Sequence, residues 1–142
     1  MTPTLKSEGP KRYCVSLVGG GDKETALFTV STENNLCRLN CEYRGKVNFA
    51  EADDFFEALC RIRLTLEKEN LIPFCYGASL NVFPSRMARQ MGLGHSAYRM
   101  EMGKSAKKEN LVPIFSQGKD VVPASVERQR AYFDEWVASL RS

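Results

Sequence analysis

Apolar and polar residues alternate with a period of two from Lys11 onward: Tyr13, Val15 and Leu17 interleave with Cys14 and Ser16. That period puts successive side chains on opposite faces and predicts a β-strand. Gly19-Gly20-Gly21-Asp22 supplies a turn, and residues 25–31, with Leu27, Phe28 and Val30, predict the returning strand of a hairpin. After Glu33-Asn34-Asn35, the residues Leu36, Arg38, Asn40 and Glu42 alternate with Cys37, Leu39, Cys41 and Tyr43. This predicts a third strand, antiparallel to the second.

The period then lengthens. Ala52, Phe55, Phe56, Leu59, Ile62 and Leu66 recur at the spacing of one helical face, while Asp53, Asp54, Glu57, Arg61 and Lys68 fill the remainder. Asn48 followed by Glu51 has the spacing of a capping box, so the helix is expected to start there and to carry an acidic exterior. It is expected to end by Asn70, because Pro73 disfavours helical geometry in the residue before it, and residues 71–76 then read as a short buried strand.

Pro84 suits the first position of a second, short helix stopped by Gly92 and Gly94. Residues 97–102 and 111–115 are strand-like, with Pro113 confining the latter to an edge or an irregular run. Pro123 and Ser125 open a last helix striped by Val126, Phe133, Trp136, Val137 and Leu140. Strands come first, helices interrupt them irregularly and nothing repeats. The predicted class is therefore α+β, a mostly antiparallel sheet with two longer amphipathic helices and one short helix. Residues 1–10, with Pro3, Gly9 and Pro10 and no apolar period, are expected to be a flexible leader to a single α+β domain over 11–142.

Composition narrows the class. The chain has 142 residues, 43% hydrophobic and 26% charged, enough for one continuous core. No apolar run approaches the roughly 18–20 residues of a bilayer span, and the N-terminus lacks the apolar centre of a secretory signal. A soluble cytoplasmic protein is the expectation. Cys14, Cys37, Cys41, Cys60 and Cys75 are odd in number and scattered, which predicts reduced thiols serving as small core hydrophobes. The only close cysteine pair is Cys37 with Cys41 and the only histidine is His95, so no metal or other cofactor is expected.

Net charge is +3, unevenly spread: residues 50–71 carry three cations and six acids, residues 72–119 seven cations and two acids. A balance this mild, with few aromatics beside Lys104, Lys107 and Lys108, does not predict nucleic-acid binding.

The segment built most distinctively is 72–100, IPFCYGASLNVFPSRMARQMGLGHSAYRM. Tyr76 and Ser79 follow its apolar run, and Ser85, Arg86 and Arg89 gather at a predicted helix N-terminus, whose free amides and dipole attract anions. These five residues are candidates for anion or partner binding, against a reading as a solvated basic helix face with a core tyrosine. Asp53, Asp54 and Glu57 are a candidate acidic docking face, or simply a match to the helix dipole. Met87, Met91, Met100 and Met102 read as core filling, with an adaptable binding surface as the alternative. His95 has no carboxylate at helical or strand spacing to orient it, and Cys75 sits in an apolar run that leaves a thiol inert, so neither is assigned catalysis.

The small antiparallel start, the acidic helix and the stretch FCYGASLNVFPSRMARQMGLG together resemble small bacterial proteins of the kind that includes immunity proteins of polymorphic toxin systems. The resemblance implies a non-enzymatic cytoplasmic protein that binds and blocks one cognate toxin. The alternative is a small anion- or nucleotide-binding module using the helix N-terminus at 84–89.

Overall fold

The computed structural model describes residues 10–141. The expected leader at 1–10 thus lies, but for Pro10, outside the described residues. Four strands, β1 (Lys11–Val18), β2 (Glu24–Glu33), β3 (Leu36–Tyr43) and β4 (Lys46–Ala52), form an antiparallel meander, and β5 (Ile72–Pro73) pairs with the free side of β1, giving the order β4-β3-β2-β1-β5. Two tight turns set the register: Asn34 and Asn35, then Arg44 and Gly45, all adopt positive φ, the mirror-image turn geometry that matches strand twist.

One face of this sheet is core. Val15, Leu17, Ala26, Phe28, Val30, Leu39, Cys41 and Ala50 point toward helix α1 (Phe55–Glu67), which returns Phe55, Phe56, Leu59, Ile62 and Leu66. Each fully buried Phe, Leu or Ile of this kind contributes about 1.5–3 kcal/mol relative to exposure. The opposite face is open, with Val47 65% and Phe49 48% exposed.

The expected helix start at Asn48 is corrected. Lys46–Ala52 is a strand, with Asn48 paired to Cys41 and Glu51 to Arg38. The true cap is Asp54, whose Oδ1 accepts the Glu57 amide at 2.8 Å. Alternation of Val47, Phe49 and Glu51 with Ala50 and Ala52 overrides a capping-box spacing that happens to fall within the strand.

The remaining chain builds a second antiparallel sheet, β6 (Val82–Phe83), β7 (Ser96–Arg99) and β8 (Leu111–Pro113), in the order β6-β7-β8. Helix α2 (Arg86–Met91) lies between β6 and β7, and α3 (Val126–Ser139) closes the chain. Pro84 precedes the α2 cap, which is Ser85, so that helix starts slightly later than its proline suggests. The strand expected at 71–76 is limited to β5, and Tyr76–Ala78 form a 3-10 turn instead. The protein is α+β, with three α-helices among the described residues set against antiparallel sheets, and one cluster of buried side chains runs from Val15 to Phe115 through both sheets.

Two polar side chains are buried where α1, α3 and the 3-10 turn meet. Arg63 donates to the carbonyls of Gly77 (3.0 Å) and Ala124 (2.9 Å) and to Gln129 Oε1 (2.6 Å). The Gln129 amide nitrogen in turn donates to the carbonyls of Gly77, Ser79 and Val82, at 3.0, 2.9 and 2.9 Å. Gly77 is needed here, because a Cβ would stand 2.5 Å from Leu59 Cδ2. Burial presses the Arg63 guanidinium below its ordinary pKa, and no ion pair to a carboxylate relieves it among the described residues.

All five cysteines are free thiols. Burial pushes Cys37 and Cys75 up to about 11 and Cys41 to about 12, and raises Cys60 as well. Cys14 departs from the expected core role: it is exposed on the outer face of β1. No helix among the described residues is long and apolar enough to cross a membrane.

Candidate binding pocket

Four stretches of the chain converge on an open pocket of about 270 Å3. Phe83, Pro84 and Ser85 form one wall, Tyr98 and Met100 of the β7 strand and its exit another, and Ser105 with Ala106 a third; Phe133, Trp136 and Leu140 of α3 complete it. The stripe of α3 foreseen from its spacing therefore faces a cavity as well as the core.

The aromatic lining is fixed from behind. Phe83 stacks on Phe133, with centroids 4.1 Å apart, and meets the edge of Phe56 at 5.1 Å. The Trp136 indole N–H donates to the carbonyls of Glu101 and Lys104, both at 3.0 Å, which tethers the turn leading into Ser105 and Ala106. Gln129 holds Val82 by its carbonyl, so the buried polar cluster also positions Phe83. Arg130 lies over the Phe83 ring at 5.7 Å.

The five residues singled out for anion or partner binding do not form one surface. The Ser79 hydroxyl is fully buried, donating to Asn81 Oδ1 at 2.8 Å and accepting the Val122 amide at 2.9 Å. Tyr76 donates to Asp120 Oδ1 at 2.6 Å, and Arg99 donates to the other oxygen at 2.9 Å. That bond raises the Tyr76 phenol, and the bonds from Tyr76 and Arg99 hold Asp120 below the usual carboxylate range. Arg99 projects from the side of β7 opposite Tyr98 and Met100, away from the pocket. Ser85 lines the pocket while its Oγ accepts the Ala88 amide at 3.0 Å, and Arg86 is exposed beside it.

Arg89 joins the two predicted surfaces to each other. Its guanidinium reaches Asp54 Oδ2 at 3.4 Å and Glu57 Oε2 at 3.9 Å, and lies over Phe56 (5.2 Å) and Phe83 (5.4 Å). Asp54 is buried, and Glu57 is shared with Arg61 at 3.6 Å; only Asp53 of the acidic trio is exposed. The same latch is closed by backbone, where Phe55 N–H donates to Leu93 O at 2.7 Å. Gly94, at φ +71°, packs so closely here that a Cβ would lie 2.8 Å from Asp54 Oδ1.

His95 rests on the Phe55 ring, centroids 4.4 Å apart, at the start of α1, while Cys75 is wholly buried. Among the described residues no group of three or more His, Cys, Asp or Glu side chains is placed to hold a metal ion. The methionines divide: Met100 is buried at the pocket, whereas Met87 and Met91 on α2 are 69% and 82% exposed.

Spacing found α3, α2 and Ser85, but not the pocket. The signal that was available is polar residues at stripe positions: Arg63 lies on the face of Phe56, Leu59 and Leu66, and Gln129 on that of Val126, Phe133 and Trp136. No protein-family model matches the chain, and no curated protein matches its sequence.

Proposed function

We propose that the chain works by binding another protein, as an immunity-type inhibitor that docks on one cognate bacterial toxin in the cytoplasm and blocks it. The observation that carries this reading is the open aromatic pocket with α2 beside it, where Met87 and Met91 stand in solvent. Trp, Tyr, Phe, Met and Arg are the residues enriched at the centres of protein interfaces, and Phe83, Tyr98, Met100, Phe133 and Trp136 all line this pocket. Aromatic side chains held by stacking and by the Trp136 tether bind at low entropic cost, because they are already ordered. The anion- or nucleotide-module reading has less support, since Ser85 Oγ caps its own helix and Arg89 is bound to Asp54.

The test is co-expression with the product of the adjacent gene. A stoichiometric complex on size exclusion, together with protection of cells from that product, is the expected result. A protein that neither binds nor protects, or that turns over a small metabolite unaided, would end the inhibitor reading.

A further inference from the structure

We infer that the chain associates with a second copy of itself by pairing the free edge of β4 antiparallel to the same edge of the other copy, joining two five-stranded sheets into one of ten strands. β4 ends the order β4-β3-β2-β1-β5, and no strand lies on its other side among the described residues. The two-residue Arg44-Gly45 turn makes Tyr43 and Lys46 a hydrogen-bonded pair, and this fixes the alternation along the strand. Lys46, Asn48, Ala50 and Ala52 turn their main-chain groups toward β3, while Val47, Phe49 and Glu51 turn theirs outward. The Glu51 carbonyl is answered within the chain, where it accepts Arg61 Nη1 at 2.6 Å. The main-chain N–H and C=O of Val47 and Phe49 have no partner among the described residues.

Free groups at strand spacing are answered in register by another strand, and edges that stay single usually carry a proline, a bulge or an inward-pointing charge. β4 has none of these: its sequence is KVNFAEA and its register against β3 is unbroken. Its two charged residues are compensated, Lys46 by Glu69 at 2.6 Å and Glu51 by Arg38 at 3.8 Å. A foreign strand chosen by charge would find no uncompensated charge to recognise here. What the edge presents instead is two apolar side chains on the open sheet face, Val47 (65% exposed) and Phe49 (48%).

The copy of β4 meets all of these conditions at once. With Val47 of each copy opposite Phe49 of the other, four main-chain hydrogen bonds use the free groups of both residues, and each valine packs on a phenylalanine ring across the strands. The two-fold axis passes between the two Asn48 residues, so the contact closes at two copies. Its small size sets a weak association, in the micromolar to millimolar range. None of the pocket-lining residues belongs to β4, so the inference stands apart from the docking reading.

The experiment is sedimentation velocity of the full chain over a range of concentrations, with a distance measurement on the same samples. A concentration-dependent dimer is expected. Cys14 is exposed on β1 while the other four thiols are buried, so a nitroxide reagent labels it selectively. Three strands separate it from the shared edge on each side, and dipolar spectroscopy should find the two labels about 30–35 Å apart, near seven strand spacings. Val47→Pro removes an outward N–H at a position where an edge strand tolerates proline, and Phe49→Lys sets two cations across the axis. Each should weaken the dimer at least about tenfold with an unchanged circular dichroism spectrum. Should Val47→Pro fail to fold, Phe49→Lys carries the test alone.

A chain that stays monomeric up to about 1 mM would overturn the inference. So would a dimer indifferent to Phe49→Lys, or a label separation well outside the expected range, since either places the contact on another face.

Discussion

The five-stranded sheet with α1 and the chain from Tyr76 to Leu140 are held together by different means. The first is made of long strands in register, joined by tight turns, with an unbroken apolar face between sheet and helix. The second has strands of only two to four residues and is pinned by Arg63 and Gln129, which reach main-chain carbonyls on three segments. Regular periodicity closes the first region on itself. The second depends on a few directional bonds and leaves an aromatic pocket facing outward, so a site can change there without dismantling the scaffold.

The comparison breaks most readily at Arg63. Arg63→Ala removes a buried side chain and leaves the Gly77, Ala124 and Gln129 acceptors short of a donor, so urea unfolding should show a loss of about 3–5 kcal/mol. A loss below about 1 kcal/mol would mean that packing alone holds the second region. Gln129→Leu keeps the volume but strips donors from three buried carbonyls, and about 1–3 kcal/mol should be lost. Because Trp136 sits on the same helix, its fluorescence should register that change at least as early as circular dichroism.

A smaller effect separates the regions by pH. Hydrogen bonds from Arg44, and from Lys46 and Tyr43, hold Glu24 and Glu69 below the ordinary carboxylate range, as Tyr76 and Arg99 do for Asp120. The unfolded chain binds these protons more readily, so the contribution is present above the ordinary glutamate value of 4.5 and is lost as pH falls below it. Tyr43, raised by burial, and Tyr76, raised by Asp120, act in reverse: their contribution is present below 10.0 and fades above it. The four buried thiols, raised from 9.0, act like the tyrosines but begin to fade lower, so the denaturation midpoint should form a plateau between about 4.5 and 9.0. Glu24→Gln with Glu69→Gln should flatten the acid limb more than Asp120→Asn does, and the opposite order would place the acid-sensitive contacts in the second region.

The smallest effects sharpen the functional side. Phe49→Thr on the open sheet face and Met87→Gln on α2 should each change stability by less than about 0.5 kcal/mol. On the proposed docking reading, only Met87→Gln should weaken the complex with the adjacent gene product. Equal weakening by Phe49→Thr would move the docking face to the sheet.

How far the sequence could be read follows the same division. Three of the first four strands, α1 from Phe55 and the α3 stripe were legible because each repeats a simple period over many residues. The fourth strand was hidden by Asn48 and Glu51, whose local spacing mimics a helix start, and by the Arg44-Gly45 turn, which lacks the usual Asn-Gly signature. The candidate site was legible only in part. Ser85 and Arg86 do lie at or beside the pocket, but Ser79, Asp54 and Arg89 are consumed by bonds to residues far along the chain. Which polar group meets which is decided by the folded path, and no local pattern encodes it.

Arg63 and Gln129 grip what they hold almost wholly by backbone oxygens, those of Gly77, Ser79, Val82 and Ala124. A clasp on the main chain does not register which side chains its segments carry. Divergence in the exposed residues of this region, Val122 or Arg86 for example, can then proceed while positions 63 and 129 stay fixed. The outer surface of this region can be rewritten residue by residue with the anchorage beneath it unchanged.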